Sequence, residues 1–557
     1  MLRTIRAQLD HQAAQRPAAT YLIAPETGLA MSFLGLQSAS RRLSGYLQGQ
    51  GILPGAKVAL LMHNGYQTCR LFIGAMYGGY CVTPLNLLAQ PAQLAYVLEH
   101  SDTEIVFVAP DQAERLRQAC TNLARPPRMV ICDVDAGEFL PAAEAVGEMP
   151  QAAGEEDAAL MMYTSGTTGK PKGVVLSQRA VVSGGEFVSA AHELGPADRV
   201  MAVLPLYHIN AQVVTAISPL IHGGSLVLPH RFSATNFWQL ATAQRCTWLN
   251  VVPTMIAYLL NGPDLIALGL DASAVRFCRS ASAPLPPAQH LAFEEKFGIG
   301  IIETMGLTET AAPCFSNPLP PAQRKLGSPG PAFGNEAKIV DAGGAVRPAG
   351  EVGEIMVRGP NVMTAYYKDP AETARTLEPD GWLHTGDLGA MDEDGFVFVT
   401  GRIKELIIKG GENIAPREID EALLTHPAVS DAAAVGIPDP QYGQEILACV
   451  VLRPDAACSE AELREHCRRE LGAYKTPKLF RFVSDLPRGP SGKVQRLKLP
   501  DWLPDWLPRT AAGDDAGAAR HDDRTDCVLQ HRADQELATT SLVSIDMPLN
   551  TVHDNEH

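Results

Sequence analysis

Met161-Met162-Tyr163-Thr164-Ser165-Gly166-Thr167-Thr168-Gly169-Lys170-Pro171-Lys172-Gly173-Val174-Val175 is the stretch on which the reading of this chain turns. Small hydroxyl residues and glycines alternate over Thr164, Ser165, Gly166, Thr167, Thr168 and Gly169, and Lys170 and Lys172 follow. With few Cβ atoms in the way, such a loop turns N–H groups, hydroxyls and two ammonium groups onto one polyanion. That describes a phosphate cradle. The same composition also fits a plain surface loop, and the flanks tilt the balance. Ala158 to Tyr163 and Gly173 to Leu176 read as short buried strands, so the loop is a strand-to-strand turn. It is not the G-x-x-x-x-G-K-[ST] loop, which opens a helix.

Outward from the loop, short apolar runs alternate with helical spacing. Val58 to Met62, Val82 to Leu85 and Ile105 to Val108 read as strands, with helices over Gln67 to Tyr77 and Pro91 to Glu99. Ala143 to Asp157 reads as an acidic linker into the loop. Beyond it come Val200 to Leu204, Ser225 to Leu228, Trp248 to Val252 and Ile299 to Ile302, again strand-like. Strand, helix, strand in succession predicts an α/β fold with parallel-rich sheets. From Gly327 to Thr400 glycines set off short β segments, a small curved β unit. Helices at Pro416 to Leu424 and Ser459 to Leu471 flank a strand at Ile446 to Leu452, a compact α+β piece of domain size.

Length gives a prior of about three to four domains. A hydrophobic share of 46% with 19% charged residues is that of a soluble globular protein. The formal charge of −16 without a basic stripe excludes a nucleic-acid partner. With no signal-peptide core and no apolar run of about eighteen residues, a cytoplasmic protein without integral membrane association is expected. Eleven scattered cysteines without a C-x-x-C pair read as reduced, mostly buried thiols, not metal or redox groups.

Four further stretches carry chemistry. Thr304-Met305-Gly306-Leu307-Thr308-Glu309 sets a hydroxyl beside a carboxylate at a strand end, suited to hold a phosphate oxygen and Mg²⁺ together, or equally to cap a helix. Asp387 and Arg402 offer a carboxylate for ribose hydroxyls and a guanidinium, or a surface ion pair. Gly410 and Gly411 allow close backbone approach, or simply turn the chain. Lys493, in Ser491-Gly492-Lys493, sits on a turn near the end of the α+β piece, where a lone lysine is ordinarily a solvated residue.

Tyr163 to Gly173 resembles the signature of the adenylate-forming enzymes: acyl-CoA synthetases, luciferases and peptide-synthetase adenylation domains. The other stretches follow in that family's order, and the resemblance extends over roughly residues 10 to 500. It implies a large N-terminal adenylation domain (1–402) and a small mobile α+β C-terminal domain (403–500) after a hinge at Lys404. The tail (501–557) is expected to be largely disordered, since Gly513 to Asp526 alternates charges and small residues with nothing to bury. The resemblance also implies ATP contacts from Thr164 to Lys170, Lys172, Ser282, Ala283, Pro284, Thr304, Met305 (usually tyrosine), Thr308, Asp387 and Arg402. Glu309 is then the Mg²⁺ ligand, with Thr308 and Glu309 catalytic alongside Lys493, which neutralises charge as carboxylate and α-phosphate converge. Gly410 and Gly411 belong to the loop that enters for thioester formation with CoA.

The resemblance further implies an acid pocket from His208, Asn210, Gln212, Arg279, Ser280 and Ser282. A fatty chain favours glycine and apolar lining. Polar residues here predict a short acid with a second polar or anionic group. Arg279-Ser280-x-Ser282, Arg231 to Thr235 and Phe315 to Pro318 resemble the oxalyl-CoA synthetase and sulfoacetate-CoA ligase branch. Ala311 and Ala312, where oxalate enzymes tend to carry histidine, tilt the expectation to sulfoacetate. The expected activity is AMP-forming acid–CoA ligation with ATP, Mg²⁺ and CoA. The alternatives are an oxalate, other short- or medium-chain, or aryl acid ligase, an adenylating enzyme without CoA transfer, or a non-catalytic nucleotide binder.

Overall fold

The computed structural model describes residues 2–138, 149–164, 171–319, 323–489 and 493–502. Ser165 to Lys170 with their expected phosphate contacts, part of the expected linker and the tail beyond 502 lie outside the described residues.

Two sheets form the bulk of the larger part. One runs Ala365–Tyr366, Lys172–Ser177, Ala158–Thr164, Cys81–Pro84, Lys57–Leu61, Thr103–Val108, Arg128–Ile131; the other Ala312–Ser316, Ile301–Leu307, Phe277–Ser280, Trp248–Val251, Arg199–Ala202, Ser225–Val227, Thr20–Ala24, Leu29–Ser32. Pairing is parallel within each sheet, antiparallel at both ends of the eight-stranded one and at the Ala365–Tyr366 end of the other. Strands such as Lys57–Leu61 and Cys81–Pro84 are buried on both faces, which is why they read as unbroken apolar runs. The helices Phe33–Gly49, Tyr66–Tyr77 and Gln178–Ala191 contribute to one core with both sheets. A second apolar cluster around Phe237, Trp238, Leu249 and Phe293 packs on the eight-stranded sheet.

Local chemistry fixes the joints. Ser177 ends one strand and caps the following helix, its Oγ accepting the Ala180 N–H at 3.1 Å. Ser459 and Glu462 form a reciprocal capping box before the helix Glu460–Lys475, which continues past the expected end at Leu471 across a break at Gly472. One pairing is not visible in sequence order: Thr20–Ala24 leaves its N-terminal neighbours and lies parallel to Ser225–Val227.

The β unit is a four-stranded antiparallel sheet of Glu336–Val340, Gly353–Arg358, Leu383–Met391 and Val397–Arg402. After it, Ile407–Lys409, Glu412–Ile414, Val429–Asp439, Gly443–Leu452 and Leu479–Phe482 build a separate sheet with the helices Pro416–Leu424 and Glu460–Lys475. Its two apolar clusters draw on residues 407–499 alone. The described cysteines are free and mostly buried, and burial pushes the Cys69 and Cys81 thiols up to about 12. Among the described residues no helix is long and apolar enough to cross a membrane.

Candidate active site

The strands Ala158–Thr164 and Lys172–Ser177 pair antiparallel in a register that ends at Thr164 opposite Lys172. The flanking runs are therefore neighbouring strands, as their reading as short buried strands predicts. Lys172 leaves the hairpin half-buried, ion-paired to Glu372 and 5.2 Å from the centre of the Tyr366 ring. Tyr366 lies on the edge strand opposite Val174, and its hydroxyl donates to Glu309 Oε1 at 2.9 Å. Burial and the Glu309 charge hold that phenol well above its ordinary value, so it remains a donor. The end of the cradle and Glu309 thus share one neighbourhood.

Glu309 is carried by a tight 3-10 turn, Thr308–Thr310, directly after the strand Ile301–Leu307. The helix-cap reading of Thr308 is corrected here: Thr310 Oγ1 accepts the Leu307 N–H at 3.0 Å. The turn is clamped from outside, by Met363 N–H on the Glu309 carbonyl at 2.7 Å and Asn361 Nδ2 on the Thr310 carbonyl at 2.7 Å. Ala311 and Ala312 adopt positive φ of 46° and 79°, an unusual conformation for residues with a Cβ and one that needs such clamping. Gly306 is fixed by contact: a Cβ there would sit 1.7 Å from the Ala312 carbonyl oxygen.

Asp387 and Arg402 face each other on adjacent strands, Nε to Oδ1 at 2.6 Å, with Asp387 buried. The surface-pair reading does not apply to a carboxylate so enclosed. Both line a cleft of about 330 Å³, together with Ser282, Ala283, Pro284, Thr304, Met305 and, from the C-terminal sheet's side, Lys493. Burial first, and the Arg402 charge second, push the Lys493 ammonium down to about 8. Asp387 and Glu405 pull it the other way.

The residues taken for the acid pocket separate into two sets. Ser282 lines the cleft at a strained φ of 75°. Arg279, Asn210, Gln212 and Ser280 are buried beside it, outside the lining. Asn210 and Gln212 belong to a π-helical segment, Asn210–Ile217, and Gln212 Nε2 donates to the Leu206 carbonyl at 2.6 Å. His208 packs its ring on Tyr207 at 4.7 Å. Gly410 and Gly411, both at positive φ, turn the hairpin between Ile407–Lys409 and Glu412–Ile414 and stand exposed, away from the cleft lining. Lys404 occupies the 3-10 turn Ile403–Glu405, between Arg402 and that hairpin.

Sequence reasoning passed over several residues of the cleft. Glu303 lines it, and burial pushes its carboxyl up to about 7, while Oε1 accepts the Leu285 N–H at 3.2 Å. Its place directly before Thr304 was the available signal. Glu405, Arg417, Asp420, Asp431, Arg488 and Arg496 also border the cleft. They are scattered between Glu405 and Arg496, and nothing in their spacing joins them.

A carboxylate, an arginine and a lysine from separate elements thus stand around one cleft. Residues 9–367 match the model of the AMP-binding enzyme family, and 418–493 that of the AMP-binding enzyme C-terminal domain. The chain belongs to the AMP-binding enzyme family. It is 56% identical over 500 residues to the sulfoacetate–CoA ligase of Cupriavidus necator, covering 89% of this chain and 97% of that protein. To the oxalate–CoA ligase of Arabidopsis thaliana it is 34% identical, over 82% of this chain and 90% of that one. The ATP-bound MatB of Rhodopseudomonas palustris superposes with a TM-score of 0.83 at 29% identity, over 91% of this chain and 99% of that chain. The chain is accordingly an enzyme, an AMP-forming acid–thiol ligase whose family works with ATP, Mg²⁺ and CoA.

Proposed function

We propose that this enzyme activates a short acid bearing a second anionic group, sulfoacetate foremost, to an acyl-adenylate and passes the acyl group to CoA in the cytoplasm. The observation that carries the reading is the 56% identity, sustained over 500 residues, to the sulfoacetate–CoA ligase. Polar candidate pocket residues, with Arg279, Asn210 and Ser282 hydrogen-bonded together, support it.

In this reading the acid carboxylate attacks the α-phosphorus of ATP, pyrophosphate leaves, the CoA thiol then attacks the acyl carbonyl and AMP leaves. Two anions meet in the first step, so positioning and charge neutralisation are the main demands. Lys172, Arg402 and Lys493 are the cations assigned to this task, joined in this proposal by Lys170. Ser165 to Gly169 cradle the phosphates and Thr308 holds the α-phosphate. Ser282, Ala283, Pro284, Thr304 and Met305 border the adenine side, and Asp387 takes the ribose hydroxyls.

A single protein carboxylate, Glu309, fits Mg²⁺, which keeps waters and phosphate oxygens as its remaining ligands. One Glu309 oxygen is held by Tyr366, which leaves the other to the metal. No group of three or more acidic, histidine or cysteine side chains among the described residues offers an all-protein site. The metal would neutralise phosphate charge there.

We further divide the chain at Lys404 into 1–402 and 403–500, with the small part pivoting so that Lys493 and the Gly410–Gly411 hairpin serve the two steps in turn. Residues 501–557 take no part. Two assays test the proposal. AMP release with sulfoacetate, oxalate, malonate, acetate, benzoate and a medium-chain fatty acid should favour the short dianions; a preference for the fatty acid refutes the acid assignment. Lys493→Ala should lower ATP–pyrophosphate exchange about 100-fold or more and spare thioester formation from preformed adenylate; the reverse pattern removes Lys493 from the first step.

A further inference from the structure

Arg279 is the third residue of the strand Phe277–Ser280 and is 2% exposed. Its Nη1 donates to Asn210 Oδ1 and to Asn250 Oδ1, each at 2.9 Å. Both partners are neutral amides. Nε has no hydrogen-bond partner among the described residues. Burial pushes the guanidinium down to about 9, and among the described residues no carboxylate forms an ion pair with it. Enclosing a guanidinium in this way carries a heavy desolvation cost, which proteins ordinarily offset with an anion. Here that anion is missing from the described part of the protein.

The hydrogen bonds have a direction. Asn250 Nδ2 donates to Asn210 Oδ1 at 3.2 Å, and Asn210 Nδ2 donates to Ser282 Oγ at 3.1 Å. With its oxygen drawn by Arg279, the Asn210 amide is polarised and its N–H becomes a stronger donor. Ser282 Oγ accepts that N–H, so the one proton of the hydroxyl remains to be donated elsewhere. Ser282 lines the cleft, whereas Arg279, Asn210 and Asn250 do not. Its φ of 75° costs the backbone energy and is held by the surrounding structure.

We propose that Arg279 is a positioning residue for substrate charge, its field carried through Asn210 to the Ser282 hydroxyl, which donates to the second anionic group of the acid. This deepens the proposed function and rests on it. The second anion is the fitting partner because it stays charged throughout. The reacting carboxylate loses its charge in the adenylate and thioester, and would leave the buried guanidinium uncompensated after the first step.

The test compares kcat/KM for sulfoacetate and for methylsulfonylacetate, which has a similar skeleton with a neutral sulfone in place of the sulfonate. Ser282→Ala and Arg279→Met should each lower the sulfoacetate value about 10- to 100-fold, chiefly through KM, the range of a hydrogen bond to a charged group. In each variant the sulfone value should fall at least about 3-fold less than the sulfoacetate value, and Arg279→Lys should recover part of the sulfoacetate loss. Arg279→Met should melt no lower than the wild type, since it removes a buried uncompensated charge. If that variant does not fold, Ser282→Ala decides alone. Equal losses on both acids, or an undiminished sulfoacetate preference in the folded variants, overturn the proposal. A wild type indifferent to the sulfonate overturns the acid assignment itself, and this inference with it.

Discussion

Lys493 illustrates how a single side chain takes its chemistry from its surroundings. A surface lysine is protonated far above neutrality, but here burial and Arg402 push the ammonium down to about 8. The adenylation step should therefore weaken as pH rises through about 8, and Lys493→Arg should hold its rate to higher pH; pyrophosphate exchange against pH reads both. Because the folded state holds this proton less tightly than the unfolded chain, Lys493 destabilises the fold below about pH 8, a cost relieved between there and the ordinary lysine range. Glu303 has the opposite sign. Its carboxyl is raised to about 7, so stability is lost as pH climbs from the ordinary carboxyl value through 7. Glu303→Gln keeps an acceptor for Leu285 and should raise the Tm by a few degrees at pH 8 and leave it unchanged near pH 4. Gly306 depends on shape alone: Gly306→Ala collides with the Ala312 carbonyl and should cut pyrophosphate exchange at least 100-fold.

Among the elements, the hairpin that carries Gly410 and Gly411 is held by an unusually enclosed lysine. Lys409 lies 2.6 Å from Glu445 Oε1, donates to the Tyr474 carbonyl at 3.0 Å, and has the Tyr442 and Tyr474 rings 5.7 and 5.1 Å away. Tyr474 lies just past the break at Gly472, and the Gly410 N–H donates to the Tyr442 carbonyl at 2.8 Å. The turn is built as a firm unit. Lys409→Met leaves Glu445 buried and unpaired, and should cost about 3–5 kcal/mol, most of it recovered in Lys409→Met with Glu445→Leu; urea unfolding of the three variants measures it. Elements of this kind were partly legible. The strands around the phosphate loop were visible because both faces are buried and the apolar run is continuous. The π-helical segment at Asn210–Ile217 was not, since its wide turn depends on neighbours packed around it.

Across the whole molecule, the boundary between the C-terminal sheet and the rest is edged by charged groups, among them Arg402, Glu405, Arg417, Asp420, Arg488 and Arg496. A polar boundary favours relative motion of the two parts. In this pose Lys493 lines the cleft and the Gly410–Gly411 hairpin stands outside it. Lys404→Pro fits the present 3-10 turn but fixes φ near −65°. Pyrophosphate exchange should then stay within about 3-fold, while thioester formation from preformed adenylate falls about 100-fold or more; equal effects on both would remove Lys404 as the pivot. By itself the sequence determined the parallel-rich α/β class, the strands on either side of residues 165–170 and the order of the chemical groups, because each is written in contiguous residues whose spacing follows backbone geometry. Only the tertiary structure decided that Thr20–Ala24 joins a distant sheet, that Tyr366 meets Glu309, and that Arg279 is sealed behind Asn210 and not set on the cleft. Those outcomes depend on burial and on partners far apart in the sequence, from 57 residues for Tyr366 and Glu309 upward, and local spacing does not encode them.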